Sequence, residues 1–359
     1  MQPSPESAQE IREASISASL VQVTRGSLTE SRHRGHVVAV DGKGQMVASL
    51  GTPDTITYLR SSAKPFQAIP LITSGAADHF GFTEKEIALA CASHSGEPIH
   101  TELALSMLKK IGLEPNALKC GTHEPFSAEE TRRLRERAEA PNVLQNNCSG
   151  KHAGMLALAL HLGAPIESYD HLGNPVQIAI RESVARFSGW AISDLAVGVD
   201  GCGVPVFGMT VRAMALMYAR LIGPQEFDDS IRRACQRIIS AMINHPEVVG
   251  GTTDRLDTEM MRAARGRLIS KVGAEGVYTV GVVPCDDWPT GLGLALKIED
   301  GDDHRARPTV VIEALRQLGV LSREELDAVA RFARFPIKNR RGDIVGEVRP
   351  DFELSRPTV

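Results

Sequence analysis

Arg267-Leu268-Ile269-Ser270-Lys271-Val272, Val277-Tyr278-Thr279-Val280-Gly281-Val282-Val283 and Leu292-Gly293-Leu294-Ala295-Leu296-Lys297-Ile298 are three short apolar runs. The glycine-containing stretch 273–276 separates the first two, and the proline-containing stretch 284–289 the last two. Runs this short, rich in Val, Ile and Leu and bounded by Gly and Pro, read as β-strands. Working outward, Asp343–Val348 adds a last strand, and helices are predicted near 306–317 and 322–333. At the other end of the chain Leu20–Thr24, His36–Val40 and Gln45–Leu50 read as strands, with Asp41-Gly42-Lys43-Gly44 as a hairpin turn, and Thr55–Leu59 follows. The middle is helical. Thr83-x-x-Glu86 and Ser127-x-x-Glu130 are capping boxes for helices near 84–92 and 128–138, and Asn174-Pro175 opens one near 175–187. Further helices are predicted near 98–111, 150–162, 207–221 and 225–243. Strands at both ends with helices between them predict an α/β (α+β) fold, an antiparallel sheet built from N- and C-terminal strands, flanked by helices and carrying a helical lobe. No G-x-G-x-x-G follows a strand, which removes support for a dinucleotide fold.

Composition bounds the function. The 359 residues carry 40 Lys+Arg against 44 Asp+Glu, a formal charge of −4, and only 16 aromatics (10 Phe, 4 Tyr, 2 Trp), so neither basic charge nor stacking surface points to nucleic acid. The longest apolar stretch, Ala153–Leu160, is far short of the roughly 20 residues that span a bilayer. Cys91, Cys120, Cys148, Cys202, Cys235 and Cys285 are too sparse for a disulfide framework and suit a reducing compartment. Residues 1–15 are polar, with Glu6, Glu10 and Glu13 where a secretory signal carries basic charge, and read as a disordered lead-in to a single domain over 16–355. The expectation is a cytoplasmic protein without membrane or nucleic-acid partners.

Chemistry concentrates in a few segments. In Ser61-Ser62-Ala63-Lys64-Pro65 the proline pins a helix start near Ser61 or Ser62, so a serine sits at a helix N-terminus with an amine one turn on. A desolvated lysine can act as base toward such a serine. The same spacing recurs at Ser106 and Lys109 inside a predicted amphipathic helix, and a plain helix cap also explains Ser61 or Ser62. Cys91-Ala92-Ser93-His94-Ser95-Gly96-Glu97 offers two hydroxyls and an imidazole, or simply a helix end closing through Gly96. Asn146-Asn147-Cys148-Ser149-Gly150-Lys151-His152 and Asp200-Gly201-Cys202-Gly203 place two cysteines in Gly-flanked turns, suited to a soft metal such as zinc or to small core positions. Gly250-Gly251-Thr252-Thr253-Asp254-Arg255 is a polar loop, either a ligand contact or a connector, and Lys271 precedes a glycine-rich stretch.

Together with Arg60 and with Ser270-Lys271-Val272-Gly273-Ala274-Glu275-Gly276, these segments resemble, in the same order and from about residue 18 to 350, the Rhizobium etli-type (class 3) L-asparaginases. The resemblance implies a serine β-lactamase/DD-peptidase-like fold and hydrolysis of the side-chain amide of L-asparagine to L-aspartate and ammonia. It implies two Ser-Lys pairs, Ser61 with Lys64 and Ser93 with Lys271, one zinc per chain on Cys148, Lys151 and Cys202, and a homodimer. For substrate binding, Arg60 suits an α-carboxylate and Asp200 an α-ammonium, while His152 orients the metal site from beside Lys151. Two other readings are a β-lactamase-like or penicillin-binding esterase or amidase, and a non-catalytic zinc-containing binding protein.

Overall fold

The computed structural model describes residues 16–357; the predicted lead-in at 1–15 lies outside it. The strands are β1 (Ala18–Arg25), β2 (Leu28–Asp41), β3 (Met46–Leu50), β4 (Ile56–Tyr58), β5 (Ala196–Val199), β6 (Pro205–Thr210), β7 (Leu268–Val272), β8 (Val277–Val282), β9 (Leu292–Ile298), β10 (Phe335–Lys338) and β11 (Ile344–Pro350). Eight of them form one antiparallel sheet in the order β10-β11-β1-β2-β9-β8-β7, with β3 also on β2. The predicted sheet from the two ends of the chain is therefore present. Its seam is β2, which at 14 residues pairs β1 through its first half and both β3 and β9 through its second.

β8 is buried along its whole length and β9 at all but one position, as expected of strands covered by helices on both faces. Val211–Ile222 lies against one face. There Gly281 and Gly293 sit side by side in the β8–β9 register, and each leaves room that a side chain would fill. A Cβ on Gly293 would stand 2.0 Å from Ala215 O and 2.5 Å from Ala219 N, both helix backbone, so only glycine lets the helix come this close.

The helical lobe is built around Ser149–His161, whose residues 149–159 are all buried. A segment that is apolar on every side must be wrapped by other helices, and here Lys64–Thr73, Glu84–Ala90, Pro98–Lys110 and Pro175–Ser188 do so. No helix among the described residues is long and apolar enough to cross a membrane. None of the six cysteines is in a disulfide.

Four local readings change. The helix predicted over 207–221 starts at Val211, because 205–210 forms β6, the centre of a second, three-stranded sheet β4-β6-β5. A fully buried strand carries no alternation, so its apolar run merges with that of the following helix. The helix near 225–243 starts at Asp229, one residue after its cap Asp228. The helix expected from Ser61 or Ser62 begins at Lys64, with Arg60–Ala63 forming a tight 3-10 turn before it. β10 contains Pro336 and was not foreseen; it is the outermost strand, where a residue without an amide hydrogen is tolerated.

Gly293→Val should cost at least about 2 kcal/mol, because the sheet and the helix must part. Gly173→Ala, where a Cβ meets nothing within 4 Å, should be close to neutral. Thermal melts of the two variants check this.

Candidate active site

The site lies where the helical lobe meets β7, the end strand of the large sheet. β4 leads through Leu59 into the 3-10 turn. Arg60, the residue before Ser61, holds φ at +50°, a left-handed conformation that a non-glycine residue adopts at a cost. Ser61 and Ser93 both line a cleft of about 550 Å³, with Asn147, Arg255, Asp257, Val272, Gly273 and Tyr278 among its walls.

Lys64 and Lys271 stand behind these serines, 1% and 0% exposed. Lys64 Nζ lies 2.6 Å from Ala92 O, 3.2 Å from Asn147 O and 2.9 Å from Ser93 Oγ. Lys271 Nζ lies 2.7 Å from the same Ser93 Oγ and 3.2 Å from Val272 O. Both amines therefore converge on Ser93, and the hydrogen bonds of Lys64 go to Ser93 and two carbonyls instead of to Ser61. Burial pulls both lysines below their ordinary range, Lys271 the further. A neutral Lys64 can give one hydrogen to Ala92 O and the other to Ser93 Oγ and keep its lone pair for a further proton. The Ser93 hydroxyl can then donate to the lone pair of a neutral Lys271, which makes a continuous line of hydrogen bonds from one amine to the other.

The histidine of the 91–97 loop is spent on structure. His94 accepts from the Gly96 amide at Nδ1 (3.1 Å) and faces Ser149 Oγ with Nε2 (2.9 Å); it stacks on His100, which is held in the same way by the Glu97 amide (3.1 Å) and Glu247 O (2.9 Å). Each ring thus uses one nitrogen as acceptor and the other as donor, the neutral form, and burial keeps both below the ordinary histidine range.

Cys148, Lys151 and Cys202 do come together, all buried. Lys151 Nζ is 2.9 Å from Cys202 Sγ. The hydrogen bond from the Cys148 thiol, against the effect of burial and with help from the Lys151 charge, brings Cys202 down to about 4. The same hydrogen bond, and burial, push Cys148 up to about 12. Burial acts to lower Lys151 too, but the neighbouring cysteines and Asp200 outweigh it and hold the amine charged. This is a thiol, a thiolate and an amine in one dry pocket, a donor set that fits a borderline-soft dication. Among the described residues no group of three or more His, Cys, Asp and Glu side chains could hold a metal, so any such site depends on the lysine.

Arg60 Nε bonds Asp200 Oδ1 at 2.9 Å, so the two residues read as substrate contacts meet each other, beside the pocket of the thiols. His152 Nδ1 is 2.7 Å from Tyr169 Oη, its Nε2 has no hydrogen-bond partner, and burial lowers it to about 3.

Several wall residues had no assigned part in the sequence reading. Asp257, 2% exposed, lies in the first turn of Leu256–Ala263, a helix too short to show a period. Arg255 was visible only as the end of a polar loop, and Asn147 only as part of a motif.

The sequence matches the family model described as L-asparaginase II over residues 21–350. No curated protein matches it. Similar solved structures include a probable glutaminase from Bacillus subtilis complexed with 6-diazo-5-oxo-L-norleucine (14% identity, 80% of this chain and 85% of that chain, TM-score 0.38). Another is a Bacillus glutaminase in the presence of 4.3 M NaCl (14%, 88% and 96%, TM-score 0.37), and a third is a beta-lactamase from Burkholderia vietnamiensis (13%, 84% and 92%, TM-score 0.35). The family match takes in both ends of the sheet, the helical lobe and every residue of the cleft described above that carries a hydroxyl or an amine, and the chain belongs to the L-asparaginase II family.

Proposed function

We propose that this amidohydrolase of the asparaginase/glutaminase kind acts on L-asparagine, releasing L-aspartate and ammonia, with Ser61 as nucleophile. The observation that carries the reading is Ser93 Oγ held between two buried amines, beside a second serine that opens on the same cleft. Ser61 attacks the side-chain amide carbon and gives its proton to neutral Lys64. The proton passes through Ser93 to Lys271, which protonates the departing nitrogen, so that ammonia leaves and an ester to Ser61 forms. Water then cleaves the ester by the reverse proton path. The N-terminal amides of the helix that starts at Lys64 supply positive potential for the oxyanion. Arg60 and Asp200, opposite charges side by side, match the α-carboxylate and α-ammonium of the substrate, exchanging their mutual bond for bonds to it. Residues 16–355 act as one catalytic domain in a cytoplasmic homodimer.

The cysteine pocket is read as a zinc site held by Cys148, Lys151 and Cys202, with His152 beside it. When bound, the ion supplies a fixed positive charge that positions substrate. This chain's part is to give up the Cys148 thiol proton and the Lys151 ammonium proton; the serine and lysines do the chemistry. Removing metal with a strong chelator should raise KM and leave most of kcat, with metal content measured on the same sample. Complete loss of turnover with the fold intact would count against a positioning role.

One observation favours a second reading, in which Ser93 is the nucleophile: it is the serine to which both lysines bond. Ser61→Ala and Ser93→Ala should each lower kcat by several orders of magnitude, because such groups act as a unit. The variants alone therefore do not rank the serines. Peptide mapping of the adduct with a diazoketone analogue of asparagine does: label on Ser61 supports the mechanism, and label on Ser93 replaces it with the second reading.

The relay needs Lys271 neutral as the final acceptor. Its burial lowers its pKa, so kcat should be high above that depressed value and fall as pH drops through it, with a midpoint below the ordinary lysine range. A pH–rate profile that keeps rising until the ordinary lysine range is reached would show an unperturbed amine, charged at neutral pH, and contradict the relay.

A further inference from the structure

We infer that Arg255 and Asp257 are positioning residues for this reaction: a buried guanidinium–carboxylate pair that holds the Ser93 segment and the Lys271 strand at the separation their hydrogen bond needs. The inference rests on the relay reading above and adds what sets its geometry.

The two partners of the 2.7 Å Ser93–Lys271 contact come from unrelated parts of the chain, a loop after a lobe helix and the end strand of the sheet. Arg255 reaches the first. Its Nη2 donates to Ser93 O at 2.7 Å, and its Nη1 to Ser95 Oγ at 2.9 Å and Gly250 O at 2.8 Å. Asp257 reaches the second. Its Oδ1 accepts from the amide of Val272, the neighbour of Lys271, at 2.7 Å. Arg255 Nη2 and Asp257 Oδ2 close the bridge at 3.3 Å, with side-chain exposures of 15% and 3%. Ser270 Oγ donates to Asp257 O at 3.2 Å, a further tie on the other side of Lys271. One ion pair thus binds the backbone of Ser93 itself and the backbone of Val272 next to Lys271.

The pair does more than brace. Lys271 is faced by Asp257, which raises it, by Arg255 and Lys64, which lower it, and by the Cys148 and Cys91 thiols. The two members of the brace therefore push the relay lysine in opposite directions. An inert prop has no such signature.

The planar fork makes four bonds at once, which a lysine at 255 cannot reproduce. Misplacing the relay by an ångström is a change of about 10²-fold in rate.

The test uses the full-length protein. Arg255→Lys, Arg255→Gln, Asp257→Asn and Lys271→Ala are compared for kcat and KM on asparagine from pH 5 to 10, well below each variant's melting temperature. Both changes at Arg255, and Asp257→Asn, should lower kcat about 10²-fold with KM within about threefold of the parent. In addition the acidic limb of kcat should move to lower pH in Asp257→Asn, where a negative neighbour of Lys271 is lost. It should move to higher pH in Arg255→Gln, where a positive one is lost. Asp257→Asn keeps the shape of the side chain and its acceptor for the Val272 amide, so it reports even if an Arg255 variant does not fold. A loss confined to KM, a kcat within threefold of the parent, or an acidic limb that stays in place in Asp257→Asn overturns the inference. Lys271→Ala with normal turnover overturns instead the relay on which the inference rests, so the two failures are distinguishable.

Discussion

Two amines buried against one hydroxyl are the constraint from which the rest of this molecule follows. Taking an ammonium out of water costs several kcal/mol even after the protein relaxes, and two of them on either side of Ser93 Oγ repel each other as well. The protein meets this by lowering the hold of both amines on their protons and by surrounding them with carbonyl oxygens at Ala92, Asn147 and Val272. Each of those carbonyls belongs to a different element, so the site demands that the lobe, the 91–97 loop and β7 be fixed relative to one another. The close seating of Val211–Ile222 on Gly281 and Gly293 holds the sheet, and the buried helix Ser149–His161 holds the lobe.

The cysteine pocket follows the same logic with the opposite sign. There the charge is kept: the Cys202 thiolate is stabilised by a thiol and an ammonium, and Lys151 in turn by its anionic surroundings. Two lysines about one helical lobe, Lys64 and Lys151, are equally buried yet shifted in opposite directions, because burial prevails at Lys64 and the anionic surroundings prevail at Lys151. Solvent exposure alone would have treated them alike.

How much of this was legible beforehand differs by scale. The large sheet was readable from both ends, since its strands are bounded by Gly and Pro and its hairpin turn at Asp41–Gly44 carries the expected residues, with Asp41 Oδ1 accepting from the Lys43 and Gln45 amides. Of the small sheet only β4 was, because β6 is buried at all but its last residue and runs without a break into a helix. At the site, Ser61, Lys64, Ser93, Lys271, Cys148, Lys151 and Cys202 could each be named from local spacing and from family resemblance. The pairing of Ser93 with Lys271 was implied by the resemblance as well, but that Lys64 bonds Ser93 and not Ser61 was not, because that depends on the 3-10 turn at Arg60–Ala63. The tie between Arg255, Asp257 and Val272 joins a polar loop, a two-turn helix and a strand, and no periodicity announces it.

The register of the sheet has a consequence for how the chain reaches this state. β1 to β3 pair with one another, but Val21 also pairs with Pro350 and β2 with β9, so these strands find their remaining neighbours only far along the chain. Loop closure over such a span must be completed before those contacts repay it, which slows folding. The lobe helices, close to one another in sequence, have partners early, whereas β1 to β3 wait with their edges open, the condition under which strands associate with the wrong chain. Lys271 arrives late as well. The line of hydrogen bonds through Ser93 therefore closes only once residue 271 is in place, and a chain truncated before it carries Ser61 and Lys64 but no relay.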